Sequence, residues 1–220
     1  LVDSDEYEGI PQGWIFGSTG GTVQIHSVGY NSFSYYLYQQ VYDDNGKPLE
    51  GVYVDQNNDG KINNKDLVRS KSSEPKVTCG FSTSLSFRNW ELSTSLRGSF
   101  GNYMYNNMNS ALATYSNILS PSKSILNAPS SVLESNFYLN QPLSDYYLEN
   151  ASFVKMDNLS LSYNFGKVFN KTVNVRGTLS VQNVFTITKY SGIDPEIAGG
   201  VDRSFYPRPR TFTLGFNINY

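Results

Sequence analysis

Apolar and polar residues alternate along much of this chain, and the clearest run is the last one. From Thr211 to Tyr220, Phe212, Leu214, Phe216, Ile218 and Tyr220 share one face, while Thr211, Thr213, Gly215, Asn217 and Asn219 share the other. A period of two puts successive side chains on opposite sides of an extended backbone, so this stretch predicts a strand with one apolar face. The same pattern predicts a hairpin at 77–100. Val77, Cys79, Phe81, Leu85 and Phe87 (with Thr83) oppose Thr78, Gly80, Ser82, Ser84 and Ser86. Arg88-Asn89 turns the chain. Trp90, Leu92, Leu96 and Phe100 then oppose Glu91, Ser93, Ser95, Arg97 and Ser99. A second pair follows. Phe153–Phe165 ends in Leu159, Leu161, Tyr163 and Phe165, and a turn near Gly166–Asn170 leads into Val173, Val175, Leu179, Val181 and Phe185, opposed by Asn174, Arg176, Thr178, Ser180 and Gln182. Two weaker strands, near Thr22–Tyr30 and Phe33–Tyr42, flank Asn31-Ser32.

The connections alternate too. Those at 31–32, 88–89 and 166–171 are short, and those at 43–76, 101–152 and 187–209 are long. Short turns on one rim and long loops on the other are the pattern of bacterial outer-membrane barrels, whereas loops this long are uncommon in a compact soluble domain. A strand of about 10 residues rising about 3.3 Å per residue and tilted by about 45° covers roughly 23 Å, near the apolar band of about 25 Å. On this reading Phe87, Trp90, Phe165 and Tyr220 form the periplasmic girdle, and Phe100, Tyr103, Phe153 and Tyr190 stand near the outer one. A soluble β-sandwich would bury the apolar faces and carry Lys, Glu and Asp outside. Here the opposite face is mostly Ser, Thr and Asn, which suits a watered lumen.

Composition narrows the class. Charged residues make up 16% of the 220, against about 25% in soluble domains, and aromatics reach 15%, led by 17 Tyr and 13 Phe. Mean hydropathy is −0.40 and no apolar run approaches about 18 residues, so transmembrane helices are excluded. A net charge of −2 gives no case for a nucleic-acid surface. The single cysteine, Cys79, permits no intrachain disulfide and falls in phase with Val77 and Phe81 as a packing residue. His26 is the only histidine, and without a serine elbow it offers no catalytic triad. Residues 1–20 read as a Gly-, Ser- and acid-rich loop rather than an export signal. If this is a barrel, the chain is expected to be the C-terminal part of something longer.

Longer motifs carry a family resemblance. Ser180-Val-Gln-Asn-Val-Phe-Thr-Ile-Thr-Lys-Tyr-Ser-Gly-Ile-Asp-Pro-Glu196 resembles the late strand and loop of TonB-dependent outer-membrane transporters. Asp194-Pro195-Glu196 followed by Tyr206-Pro-Arg-Pro-Arg-Thr-Phe-Thr-Leu-Gly-Phe216 resembles more narrowly the C-terminus of the SusC/RagA family of Bacteroidetes. Ser144–Leu161 resembles that family's penultimate downward strand, and Tyr42–Gly51 with Asp55–Gly60 is a third match in family order. The resemblance implies an all-β fold: an antiparallel transmembrane β-barrel of about 22 strands, of which about six would lie here, with residues 1–220 forming the C-terminal part of the barrel domain and the plug domain absent from this chain. It implies import of oligosaccharides or peptides across the outer membrane of a Gram-negative bacterium. Expected partners are a SusD-like surface lipoprotein as lid, TonB through the missing N-terminal part, and outer-membrane lipid.

One loop suggests a cofactor. Asp55-Gln-Asn57-Asn-Asp59-Gly60-Lys61-Ile62-Asn63-Asn-Lys-Asp66 has EF-hand spacing: oxygen side chains at positions one, three and five, Gly at six, an acid at twelve. Asp55, Asn57, Asp59, the Lys61 carbonyl and Asp66 are the candidate ligands for a structural Ca²⁺. Asp at position twelve is shorter than the usual Glu, and the preceding Gly51–Val54 reads as strand, so the match is to the loop alone. The plainer alternative is a solvated Asp/Asn/Gly turn. Asp194, Glu196, Asp202 and Arg203 cluster on the last long loop, but nothing fixes the separation a glycosidase pair needs. Loop aromatics Tyr103, Tyr105, Tyr115, Tyr146 and Tyr147 fit interface anchoring better than solute binding. Arg97 and Arg176 are expected to pair with acids across the lumen. The sequence reads as a transporter wall, not an enzyme. The alternatives are a secreted calcium-dependent β-sandwich that binds glycans, and a siderophore receptor of the same barrel type.

Overall fold

The computed structural model describes residues 9–17, 21–118, 124–168, 173–203 and 206–219. In chain order its strands are β1 (Ile10–Trp14), β2 (Thr22–His26), β3 (Ser34–Tyr38), β4 (Gln40–Tyr42), β5 (Pro48–Tyr53), β6 (Leu67–Ser72), β7 (Val77–Phe87), β8 (Trp90–Phe100), β9 (Tyr103–Asn106), β10 (Leu148–Asn150), β11 (Phe153–Val168), β12 (Val173–Thr188), β13 (Val201–Asp202) and β14 (Thr211–Asn219). Three short helices, α1 (Asn107–Leu112), α2 (Tyr115–Ile118) and α3 (Val132–Ser135), interrupt the β9–β10 connection. The chain divides into two compact units: 76–100, 152–189 and 206–220 form one, and 1–75, 101–151 and 190–205 form the other.

The first unit is an antiparallel meander in the order β7-β8-β11-β12-β14. Its register is a direct product of the period-two pattern, because a slip of one residue would turn every side chain to the wrong face. Leu85 lies opposite Leu92, Leu92 opposite Leu161, Leu161 opposite Leu179, and Leu179 opposite Leu214. One residue along each strand, Ser84, Ser93, Ser160, Ser180 and Thr213 form a parallel row of hydroxyls on the other face. The leucine face is not covered: Leu85 is 63% and Leu214 67% exposed. A β-sandwich would bury such a face.

Aromatic residues close one end of this face. Phe87 and Trp90 flank the Arg88-Asn89 turn, where Arg88 takes a positive φ of 54°. Trp90 and Tyr163 meet at a tilt of 59° with 4.6 Å between ring centroids, and Tyr163 meets Phe165 edge-on at 4.9 Å. In the next strand the row reaches Gly177, where an added Cβ would come within 3.2 Å of the Phe165 ring. The glycine thus makes room for the ring to fold over the sheet. The expected periplasmic girdle of Phe87, Trp90 and Phe165 is exposed as a group, and Tyr220 lies outside the described residues. The outer girdle differs from expectation. Phe100 is exposed, but Phe153 is only 7% exposed. Tyr103 and Tyr190 belong to the second unit, where Tyr190 is buried with its hydroxyl donating to Asp202 at 2.7 Å.

The second unit is built from segments expected as strands and long loops. The weak strands at 22–30 and 33–42 are real in part, yet β2 and β3 pair with β1 and β6 in their own sheet rather than extending the meander. Segments 43–76, 101–152 and 187–209 carry β5, β6, β9, β10, β13 and the helices rather than irregular coil. They share a core of Ile15, Val23, Tyr35, Leu37, Tyr105, Phe137, Tyr147 and Val201. Ordering loops this long carries a large entropic cost, and burial of these large aromatic and aliphatic side chains offsets it.

Candidate functional site

The hydroxyl face of the meander carries its charge in pairs. Arg97 on β8 donates to Asp157 on β11 at 2.6 Å. Asp157 is the extra residue of a bulge against β8, because Met156 and Asn158 face the consecutive residues Leu96 and Ser95, whereas on the other side β12 carries the extra residue, with Asn183 and Val184 between Gln182 and Phe185. A bulge redirects a side chain that regular alternation would send to the other face. Arg176 on β12 donates to Glu91 on β8 at 2.7 Å, reaching past β11 between them. Both arginines therefore pair with acids, as expected, but along the same sheet rather than across a lumen. Serine, threonine and asparagine fill most of the rest, with Ser162 and Thr178 hydroxyls 2.9 Å apart, and Lys155 lies opposite Arg97.

The 55–66 loop turns as its spacing requires. Asn58 and Gly60 take positive φ of 58° and 76°. Oxygens of Asp55 and Asn57 converge on the Asp59 amide at 3.3 and 3.0 Å, and the second Asp55 oxygen accepts from the Gly60 amide at 2.8 Å. Asp59 in turn accepts from the Lys61 amide at 2.9 Å. Asp66 differs from the rest: it is fully buried. One of its oxygens accepts from the Gln56 amide at 2.9 Å and the other from the Asn63 amide at 2.8 Å. Those amides, the Asn63 one foremost, hold its carboxyl below the usual range. It thus closes the loop through hydrogen bonds. Among the described residues no three His, Cys, Asp or Glu side chains gather closely enough to hold an ion.

No family model matches the chain, but individual proteins do. It is 38% identical over 90% of its length to the TonB-dependent receptor SusC of Bacteroides thetaiotaomicron. It is 28% identical over 86% of its length to the TonB-dependent receptor P3 of Formosa agariphila. The chain belongs to the SusC/RagA-like TonB-dependent receptors. Its structure matches the RagAB peptide transporter with a TM-score of 0.70 at 25% identity, over 88% of this chain and 23% of that one. The RagAB peptide importer in its open-open state gives a TM-score of 0.67 at 21% identity, over 92% and 24%. The chain spans about a fifth of the length of the curated relatives it matches, 20% of SusC and 22% of the Formosa receptor.

In a SusC-like receptor the meander is a segment of barrel wall, with β7 and β14 as its edges among the described residues. Other residues singled out from sequence now have places. Tyr105 and Tyr147, expected at an interface or a solute site, are core: 0% and 3% exposed. Tyr103 and Tyr146 are half-buried against that core, and Tyr115 is half-buried on α2. Asp194 accepts from the Glu196 amide at 3.0 Å, and Asp202 is buried beneath Tyr190, whose hydroxyl burial and this carboxylate push upward in pKa. Arg203 stands over the Trp14 ring, 5.7 Å from its centroid. His26 packs edge-on against Phe33 at 4.7 Å. Cys79 is exposed in the apolar row, and its sulfur would lie 3.0 Å from a Cβ added at Gly98. Sequence periodicity missed Asp157 because bulges break the period that periodicity detects. It missed Glu134, Glu149 and Ser131, which wall a cavity in the second unit, because they lie in short irregular segments.

Proposed function

We propose that this chain forms wall strands and outer loops of a TonB-dependent importer of oligosaccharides or peptides in the outer membrane of a Gram-negative bacterium. The observation that carries the reading is the pair of adjacent rows in the five-stranded sheet, leucines on one face and hydroxyls on the other. Lipid fits the first row and water the second. The likeness to SusC supports a lipoprotein lid of the SusD type and energy supplied by TonB through regions beyond these residues. The test is deletion of the full-length gene in its host, followed by growth on oligosaccharides and on peptides as sole nutrients. Loss of growth on one class, restored by the gene, supports the reading. Unimpaired growth on every nutrient of both classes counts against it.

A second reading concerns the 55–66 loop, which we infer takes a structural Ca²⁺ with Asp55, Asn57, Asp59 and the Lys61 carbonyl as ligands and Asp66 closing the ring, the three carboxylates being drawn together by the ion, since they do not gather without it. The convergence of Asp55 and Asn57 oxygens on one amide favours it. An oxygen that accepts one N–H keeps a lone pair for a cation. Calorimetry of the full-length receptor with Ca²⁺, after chelation, should show binding heat that Asp55→Asn with Asp59→Asn removes. Absence of heat in the parent protein would sink this assignment.

A further inference from the structure

Charge is divided unevenly between the two units. The five-stranded unit carries ten Lys and Arg against two acids, Glu91 and Asp157, whereas the rest of the chain carries seven against seventeen. Arg176 and Arg97 occupy both acids. The remaining positive charge of the sheet has no acid within its own unit to balance it.

Two of these cations continue the apolar face at its outer end, away from Trp90 and Phe165. On β12, Phe185 and Ile187 lie opposite Met156 and Val154, and Lys189 is the next position of that series. On β14, Arg210 precedes Phe212 at the same spacing. Ile187 and Phe212 are exposed, as are Lys189 and Arg210. Among the described residues neither cation pairs with an acid. A basic side chain just beyond an apolar band lays its stem on that band and its charge among lipid headgroups.

Arg210 is also held in place. The β12–β14 ladder stops at Thr211, opposite Gln182, while β12 runs on to Thr188. Pro207 and Pro209 have no N–H with which to extend it. A clamp at the β12 bulge takes over. Asn183, with a φ of 53°, donates its side-chain amide to the Pro209 carbonyl at 2.9 Å, and Arg210 Nε donates to the Asn183 carbonyl at 3.4 Å. With Nε engaged, the two terminal nitrogens of the guanidinium form a fork, which matches the oxygens of a phosphate.

We propose that the outer ends of β12 and β14 bind a phosphate-bearing lipid of the outer leaflet. Arg210 forks on the phosphate, Lys189 adds positive potential at the same rim, and Phe185, Ile187 and Phe212 lie beneath the acyl chains. The exposed apolar residues directly below the cations favour a lipid over a free anion. This rests on the reading of the sheet as membrane wall and names a lipid partner for it.

Fluorescence quenching beside the site is the test. The full-length receptor with Cys79→Ser carries a bimane label at Ile187→Cys, in vesicles of dioleoylphosphatidylcholine. Brominated phosphatidic acid should quench the label at about tenfold lower mole fraction than brominated phosphatidylcholine of the same chains. Arg210→Gln with Lys189→Gln should abolish that preference. Asn183→Gly tolerates the positive φ but removes the clamp, and should cut the preference by about threefold. Arg88→Gln, at the opposite end of the sheet, should leave it unchanged. Excess inorganic phosphate should not relieve the quenching, and relief would assign a free anion and overturn the lipid. Equal quenching by both lipids in the parent, a preference that survives the double substitution, or an equal loss in Arg88→Gln overturns the site and leaves the wall reading intact. Absence of quenching by either lipid overturns both.

Discussion

Arg176 on β12 and Glu91 on β8 form an ion pair at 2.7 Å although β11 runs between their strands. The long arginine stem crosses a strip of small hydroxyl side chains, Ser162 and Thr178, to reach its acid. Both side chains keep substantial contact with solvent, 47% and 39% exposed. Pairs of that kind contribute little, on the order of 0–1 kcal/mol, and are weakened by salt. A double-mutant cycle of Arg176→Met and Glu91→Gln in the full-length receptor should therefore give a coupling below about 1 kcal/mol that shrinks at high ionic strength. A coupling of several kcal/mol, insensitive to salt, would show that the polar face is dry.

The two faces predict opposite tolerance at adjacent positions. Leu161 stands in the middle of the leucine row and Ser160 in the middle of the hydroxyl row. Leu161→Arg should destabilise the barrel by about 2–4 kcal/mol, the cost of a basic side chain at the bilayer midplane. Ser160→Arg should change stability far less. Folding into lipid vesicles, measured by denaturant titration, gives both numbers, and equal costs would contradict the assignment of faces.

Asp66 gives the second unit a pH dependence of definite sign. Its carboxyl is held below the usual range by the Asn63 and Gln56 amides. A depressed carboxyl contributes stability that is complete above its unfolded pKa of about 4 and is lost as pH falls through the lower folded value. Hydrogen exchange at the Gln56 and Asn63 amides, corrected for intrinsic rate, should stay slow from neutral pH down to about 4 and quicken only below it. In Asp66→Asn one of the two amides should exchange quickly at neutral pH, because the new NH₂ group faces a donor where an oxygen accepted, while the remaining oxygen still accepts from the other.

Glu50 ties two distant segments together in the same unit. Its carboxylate accepts from the Tyr138 amide at 2.7 Å and the Leu139 amide at 2.9 Å. Glu50→Ala should speed exchange at those two amides and leave the β11–β12 ladder unchanged. Slow exchange in the variant would mean that other contacts hold the 138–139 segment.

The long barrel strands were legible in sequence because one face is apolar for nine residues or more. The hairpin at 77–87 and 90–100 stands where alternation placed it, and β11 and β12 each continue to 16 residues, three beyond the apolar run as read. The second unit was not legible in the same way. Its strands are two to six residues long, too short for a period to emerge. Some pair across great distances, as Val201 does with Tyr105 in a parallel bridge. In Tyr103-Met104-Tyr105 the last two residues are both buried, so neither alternation nor helical spacing marks the core. Abundant tyrosine suggests a membrane interface, yet Tyr35, Tyr105, Tyr147 and Tyr190 are packed into the second unit.

The central claim is that the leucine row meets lipid and the hydroxyl row meets water. Spin labels at Leu179→Cys and Ser180→Cys test it directly, each in a full-length receptor carrying Cys79→Ser and reconstituted in lipid. These two neighbours on β12 belong to opposite rows. The label at 179 should collide readily with dissolved oxygen and be shielded from a water-soluble nickel chelate, with the reverse at 180. Equal access of the chelate to both sites, or the opposite ranking, would contradict the account.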